Sequence, residues 1–262
     1  MKTRPTSVAG TFYPKDPDHL EQLLETYFQG KTPGVAAQGI VSPHAGYVYS
    51  GETAACAFSA IAPEFDGTFV ILGPSHRGFL TCASAIPWET PLGTVDVDSV
   101  FVQALGIEID ERSHREEHSI ETQVPFIKYR FPRVRIAPIM VGDQDMPAVV
   151  LLGERIARAV RETGSSVRIV ASSDFSHYIP EERARRDDLY AIEALRTLDI
   201  PEFYRRIEER GVSACGYGPI AAMCTAAAAS GAREARLLRY STSGDVTRDT
   251  REVVGYAAIA VV

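Results

Sequence analysis

The chain has 262 residues, 45% of them hydrophobic and 23% charged, with a formal net charge of -7. That is enough apolar material for the core of one large domain, and the acidic balance argues against nucleic acid as the main partner. No apolar run approaches the ~18 residues of a membrane span, and MKTRPTSVAGTFYP lacks the apolar stretch of a secretory signal, so a cytoplasmic location is the default expectation.

The N-terminal arm, Met1 to Pro17, leads into DHLEQLLETYF, which places Leu20, Leu23, Leu24, Tyr27 and Phe28 on one helical face. GKTPGVAAQG reads as a linker. GIVS is a short buried strand, SPHAGYVYSG its loop, and GETAACAFSAIA a small-residue helix. GTFVILGPSH is a second buried strand, and CASAIPWETPLGTVDVD a hairpin excursion punctuated by Pro and Gly. A helix is expected near Val100 to Leu105. Another lies within Glu117 to Tyr129, where Pro125 should kink or break it.

RIAPIMVG is a third strand, followed by the helix MPAVVLLGERIARAVRET and the strand of SSVRIVASSD. Helices over Pro180 to Leu198 and Pro201 to Glu209 come next; ERARRDD in the first is a solvated charged face. SACGYGPI opens an alanine-rich helix, AAMCTAAAAS, and EARLLRYSTS and EVVGYAAIAVV close the chain as strands. Strand and helix alternate throughout. The expected fold is therefore a single α/β domain over residues 1–262, with a mostly parallel or mixed central sheet and helices on both faces.

Three apolar runs end in a histidine: GIVSPHAG at His44, TFVILGPSHRG at His76 and VRIVASSDFSHY at His177. Open α/β sheets bind ligands at the C-terminal ends of their strands, so half of the six histidines point to one site. Two neutral imidazoles on neighbouring strand ends suit Fe, Zn or Cu. Three residues are candidates for a third ligand. Asp174 would complete a two-His-one-carboxylate face, Glu121 lies in EHSIE, and Cys215 precedes a helix whose N-terminus favours the thiolate. Asp174 and His177, three apart, could form an acid/base pair, or Asp174 could cap the helix near Pro180.

Tyr47 is favoured over Tyr49 for the pocket, and Ser75 and Tyr217 are further substrate-side candidates. Flanked by charge, His118 reads in isolation as solvent-facing, and His114 and His19 as surface residues. Ser75, Asp174 and His177 follow a hydrolase chain order, but GPSHRG lacks the glycine of a nucleophile elbow. The four cysteines form no C-x-x-C pair and read as reduced thiols, with Cys56 and Cys224 in core helices. Neither a phosphate-binding loop nor a dinucleotide fingerprint occurs.

VAGTFYP, SPHAGYVYSG, GPSH, TPLG, EHSIE, SSDFSHY and CGYGPI, in that order, span nearly the whole chain. Together they resemble the Memo family, whose microbial members are called AmmeMemoRadiSam system protein B. That family is similar in fold to class III extradiol dioxygenases, which use non-haem Fe(II). The resemblance implies metal ligands at His44, His76 and Cys215, an acid/base at His177 beside Asp174, and a second active-site imidazole at His118. It further implies a small aromatic, catechol-like substrate or a peptide as ligand, and a radical-SAM or AMMECR-type partner protein. At the position of Cys215 the dioxygenases carry a carboxylate. A thiolate there shifts metal preference from iron towards copper or zinc, and favours a non-catalytic binding module as the alternative function.

Overall fold

The computed structural model describes residues 2–31 and 36–262; the middle of the GKTPGVAAQG linker, 32–35, lies outside the described residues. Ten strands are present among the described residues. They are β1 (Gly39–Ser42), β2 (Thr68–Pro74), β3 (Cys82–Ala83), β4 (Trp88–Thr90), β5 (Gly93–Val95), β6 (Arg135–Val141), β7 (Val167–Ser172), β8 (His177–Ile179), β9 (Ala235–Thr242) and β10 (Val253–Val261).

Every residue of β1 and β2 is buried. A strand covered on both faces has no polar alternation to show, which is why these segments read as continuous apolar runs. Side chains nevertheless alternate between two cores. Val70 and Leu72 join one, while Phe69 and Ile71 join the other. The first core takes in helices Ser99–Leu105, Met146–Thr163, Ile200–Arg210 and Tyr217–Ala229. The second takes in helices Pro17–Phe28, Tyr47–Phe58 and Val124–Arg130.

β6, β2, β7 and β1 run side by side and parallel, with Val70 of β2 opposite Ala137 of β6 and Ile169 of β7. β3 is antiparallel to β6 at one edge. At the other, β10 is antiparallel to β1 and pairs in turn with β9 and β8. β4 and β5 form the separate hairpin expected between Cys82 and Asp98. The protein is thus a single α/β domain with a mixed, mostly parallel sheet flanked by helices. Among the described residues, no helix is long and apolar enough to cross a membrane.

Local chemistry moved several boundaries. Helix Tyr47–Phe58 starts inside the expected SPHAGYVYSG loop, directly after Gly46. Pro125 ends nothing: it occupies the first turn of Val124–Arg130, where its missing N–H has no intrahelical partner to lose. The EHSIE segment instead forms a separate one-turn helix, His118–Glu121. The long helix expected to Leu198 stops at Glu193 and tightens into a 3-10 turn, Ala194–Thr197.

His114, expected on the surface, is fully buried beneath Trp88, 5.8 Å between ring centroids. Its Nε2 lies 3.3 Å from the Cys82 carbonyl oxygen. Burial first, and the Arg4 charge second, lower its pKa to about 4. Below the unfolded value near 6.5 the denatured chain binds a proton that the native chain refuses, so stability falls as pH drops from there to about 4. We predict that urea-unfolding free energy falls by about 2 kcal/mol more between pH 7 and pH 5 in the parent protein than in His114→Gln. Equal slopes would contradict the assignment.

Candidate metal centre

His44 is the second residue after β1, and His76 the second after β2. The second residue after β7 is Asp174, not His177. β7 lies between β2 and β1, so S-P-H, P-S-H and S-S-D set His44, His76 and Asp174 in a row on one sheet edge. His177 comes from β8, a strand beyond that edge.

The fourth imidazole arrives by close packing. A Cβ on Gly73 of β2 would lie 2.5 Å from Ser119 Oγ and 2.6 Å from Ile120 Cγ1, so glycine alone lets the His118–Glu121 turn press against the sheet. One ring nitrogen from each of His44, His76 and His118 then lies within 4.8 Å of the other two. The rings of His76 and His118 stack, 4.5 Å between centroids. His118 therefore faces the cluster, not open solvent. A second close approach is at Gly216, whose Cβ would lie 2.3 Å from the Ser172 carbonyl oxygen. It brings Cys215 Sγ to 3.2 Å from His44 Nε2.

Hydrogen-bond arithmetic fixes the tautomers. Ser172 Oγ donates its one proton to the Ser119 carbonyl, 2.6 Å away, and accepts from Gln123 Nε2 at 2.9 Å. Its 2.9 Å contact with His44 Nδ1 must then be donated by the imidazole, leaving His44 Nε2 with a free lone pair. Glu117 Oε1 accepts from His76 Nδ1 at 2.9 Å while Oε2 accepts from the His76 backbone N–H at 2.8 Å, which leaves His76 Nε2 free as well. Burial alone would raise the Glu117 carboxyl; hydrogen bonds from His76 hold it well below the usual range. Burial also lowers the pKa of His44, with His118 and His76 adding to it, and that of His118, with His76 adding. The Nδ1 partners of His44 and His76 thus leave both Nε2 atoms facing the cluster, the arrangement that suits metal ligation.

Cys215 departs from expectation. Burial, then the nearby Asp174 carboxylate, push its thiol up, outweighing any effect of the helix that begins at Tyr217. Without a cation it is a thiol positioned to donate to His44 Nε2. A bound cation would displace that proton.

Asp174 neither caps a helix nor contacts the His177 ring by hydrogen bond. Its Oδ1 accepts the His44 backbone N–H at 2.8 Å, and burial raises its carboxyl. His177 is oriented by Ser213 instead: Nδ1 donates to the Ser213 carbonyl at 2.9 Å, and the backbone N–H to Ser213 Oγ at 2.8 Å. His177 Nε2 is therefore the free, proton-accepting nitrogen.

Other candidates lie elsewhere. Glu121, read as a ligand or substrate contact, is an anchor: its oxygens accept from Arg4 at 2.7 Å, Tyr13 Oη at 2.7 Å, and the Ser7 and Val8 backbone N–H groups at 3.0 Å. Tyr47 is buried and donates to the Thr122 carbonyl at 2.7 Å, because helix formation begins at it and turns it into the core. Ser75 Oγ accepts the Phe79 backbone N–H at 2.9 Å. Tyr217 packs edge-on against Tyr204, 5.3 Å between centroids. None of these four lines the cleft over the histidines.

That cleft has a volume of about 560 Å³ and is lined by His44, His76, His118, Asp174 and His177 at its base, with Phe12, Tyr49, Tyr178, Tyr256 and Glu252 among its other walls. Sequence reasoning missed Glu117, Ser172, Phe12, Tyr178, Tyr256 and Glu252, and it ranked Tyr49 behind Tyr47, whereas Tyr49 is the one that lines the cleft. The carboxylate next to His118 in EEHSIE was the one signal available for Glu117.

A parallel α/β sheet that gathers imidazoles from SPH, PSH and EHSIE at its C-terminal edge is the arrangement expected of a Memo-like protein. Residues 4–260 match that family, described as Memo-like protein, and the chain belongs to it. It is 47% identical to a MEMO1 family protein of Methanosarcina barkeri over 265 residues, covering 98% of this chain and 99% of the relative. A MEMO1 family protein of Archaeoglobus fulgidus is 46% identical over 258 residues, covering 96% and 97%.

This geometry has two measurable consequences. Glu117→Leu, which removes both acceptor oxygens that orient His76, should weaken metal binding by about 10- to 100-fold in a chelator competition. Unchanged affinity would contradict the orienting role. Arg4→Met strands the buried Glu121 carboxylate and should cost about 3–5 kcal/mol in urea unfolding; a change under about 1 kcal/mol would show that the arm is not anchored there.

Proposed function

We propose that this chain is a metal-dependent redox protein, dioxygenase-like, that acts on a small aromatic, catechol-like substrate. The observation that carries the reading is the pair of strand-end imidazoles, His44 and His76, each locked by Nδ1 so that Nε2 is the nitrogen turned to the base of an open cleft. His118 is the third donor, with a ring nitrogen within 4.8 Å of both; the Cys215 sulfur lies 3.2 Å from His44 Nε2 but falls outside that three-histidine group. Fe(II) is the first expectation, with Cu or Zn as alternatives. Fe(II) held by these residues would supply one-electron chemistry with O2 and stabilise a phenolate as a Lewis acid.

The chain's own groups do the rest. His177 Nε2, freed by the Ser213 bond, accepts the phenolic proton. Asp174 holds the His44 backbone, and with it the ring, in place. The walls keep the ring of the substrate against the base of the cleft and exclude bulk water. A second reading, a metal-binding module without turnover, is favoured by the Cys215 sulfur, since a soft donor suits copper(I) or zinc. Ser75 as a hydrolase nucleophile has no support: its oxygen serves the Phe79 turn.

His44→Ala should lose most bound metal, measured by elemental analysis of anaerobically purified protein. His177→Ala should keep its metal and lose oxygen uptake with catechols. Metal bound without oxygen uptake by the parent protein would favour the module; full metal and full activity in both variants would contradict the site.

A further inference from the structure

We infer that the outer half of the cleft selects a substrate carrying a positive charge, an ammonium-bearing aromatic, through the rings of Tyr178 and Tyr49 and the carboxylate of Glu252. The inference rests on the proposed aromatic chemistry of the same site. Three observations carry it.

The first is backbone strain. Tyr178 has φ +56°, a left-handed conformation that a bulky side chain adopts rarely. Its cause is a bulge: Val253 faces Ile179 and Val254 faces His177, so Tyr178 is the extra residue of β8. Bulges next to functional sites re-aim side chains. Glycine is the residue that suits this position, and the tyrosine ring gives no core packing in return, being 73% exposed. A strained, exposed aromatic side chain in the wall of a cleft is placed for ligand contact, not for stability.

The second is the company that ring keeps. Tyr49, 43% exposed, lines the same cleft above the buried Tyr256. Burial, then Asp174 and Tyr49, with Tyr178 adding to them, push the Tyr256 hydroxyl up, as expected of three phenols gathered at one mouth. Ring faces attract cations.

The third is charge. Among the described residues the cleft is lined by two carboxylates, Asp174 and Glu252, and by no lysine or arginine. Neighbouring cations are engaged elsewhere or lie outside it. Arg77 pairs with Glu116 at 2.7 Å, Arg251 pairs with Asp249 at 2.6 Å, and Arg248 is exposed beyond the lining. No ion pair involves Glu252 among the described residues. In the outer half, away from the metal ligands, a carboxylate or phosphate would be desolvated beside Glu252, whereas an ammonium there finds both that anion and ring faces.

Three catechols with the same two-carbon arm test this: 4-(2-aminoethyl)catechol, neutral 4-ethylcatechol and 3-(3,4-dihydroxyphenyl)propionate. Binding to the purified protein under nitrogen is read by calorimetry. The ammonium probe should bind about fivefold tighter than the neutral one, and the carboxylate probe weaker than both. Glu252→Gln should abolish most of the ammonium preference. Tyr178→Gly should also weaken the ammonium probe while raising the urea midpoint, because it relieves the strain. Equal or tighter binding of the carboxylate probe, or an ammonium preference untouched by both substitutions, would overturn the inference and leave the aromatic reading standing. Failure of all three catechols to bind would overturn the aromatic reading itself.

Discussion

The hydroxyl of Ser172 has one proton, and it goes to the carbonyl of Ser119. That bond sets the tautomer of His44, whose Nδ1 has no choice but to donate, and therefore the availability of its Nε2 at the end of the sheet. The same bond ties β7, which ends at Ser172, to the turn that carries His118. One buried hydroxyl thus sets both the chemistry of one imidazole and the position of another. Gln123, which donates to the same oxygen and also to the Pro43 carbonyl, extends the tie to the loop that holds His44. All of these groups are buried, so none can exchange its partner for water without cost.

A second tie reaches the site from the N-terminus. Glu121 closes the one-turn helix that begins with His118, and its carboxylate collects Arg4, Ser7, Val8 and Tyr13. The arm so fixed places Phe12 against His118, 4.9 Å between ring centroids, and in the wall of the cleft. A residue that looks like a ligand in EHSIE therefore works at one remove, by holding the chain that shapes the pocket.

Much of this is legible in the sequence. Buried parallel strands announce themselves as apolar runs without alternation, and the loops after β1 and β2 carry His44 and His76 in nearly the same words, S-P-H and P-S-H. The loop after β7 is harder to read. His177 resembles the other two by ending an apolar run, but the equivalent place belongs to Asp174, and the difference depends on where the strand stops. His118 misleads because charged neighbours suggest solvent, and His114 because its local sequence gives no sign of burial, while burial is decided by the groups that pack from elsewhere: Trp88 over His114, and the bare Cα of Gly73 beneath the His118 turn. The tautomers, the Arg4–Glu121 pair and the strained Tyr178 depend on contacts between residues far apart in the chain, which no local pattern encodes.

The metal centre stands or falls on two imidazoles sharing one cation. Crystals of metal-loaded protein, with data collected across the absorption edge of the bound metal, test it most directly. One anomalous peak is predicted at the C-terminal edge of the sheet, about 2.0–2.1 Å from Nε2 of both His44 and His76. A metal bonded to neither ring, or reached through Nδ1 after the Ser172 and Glu117 bonds had broken, would contradict it.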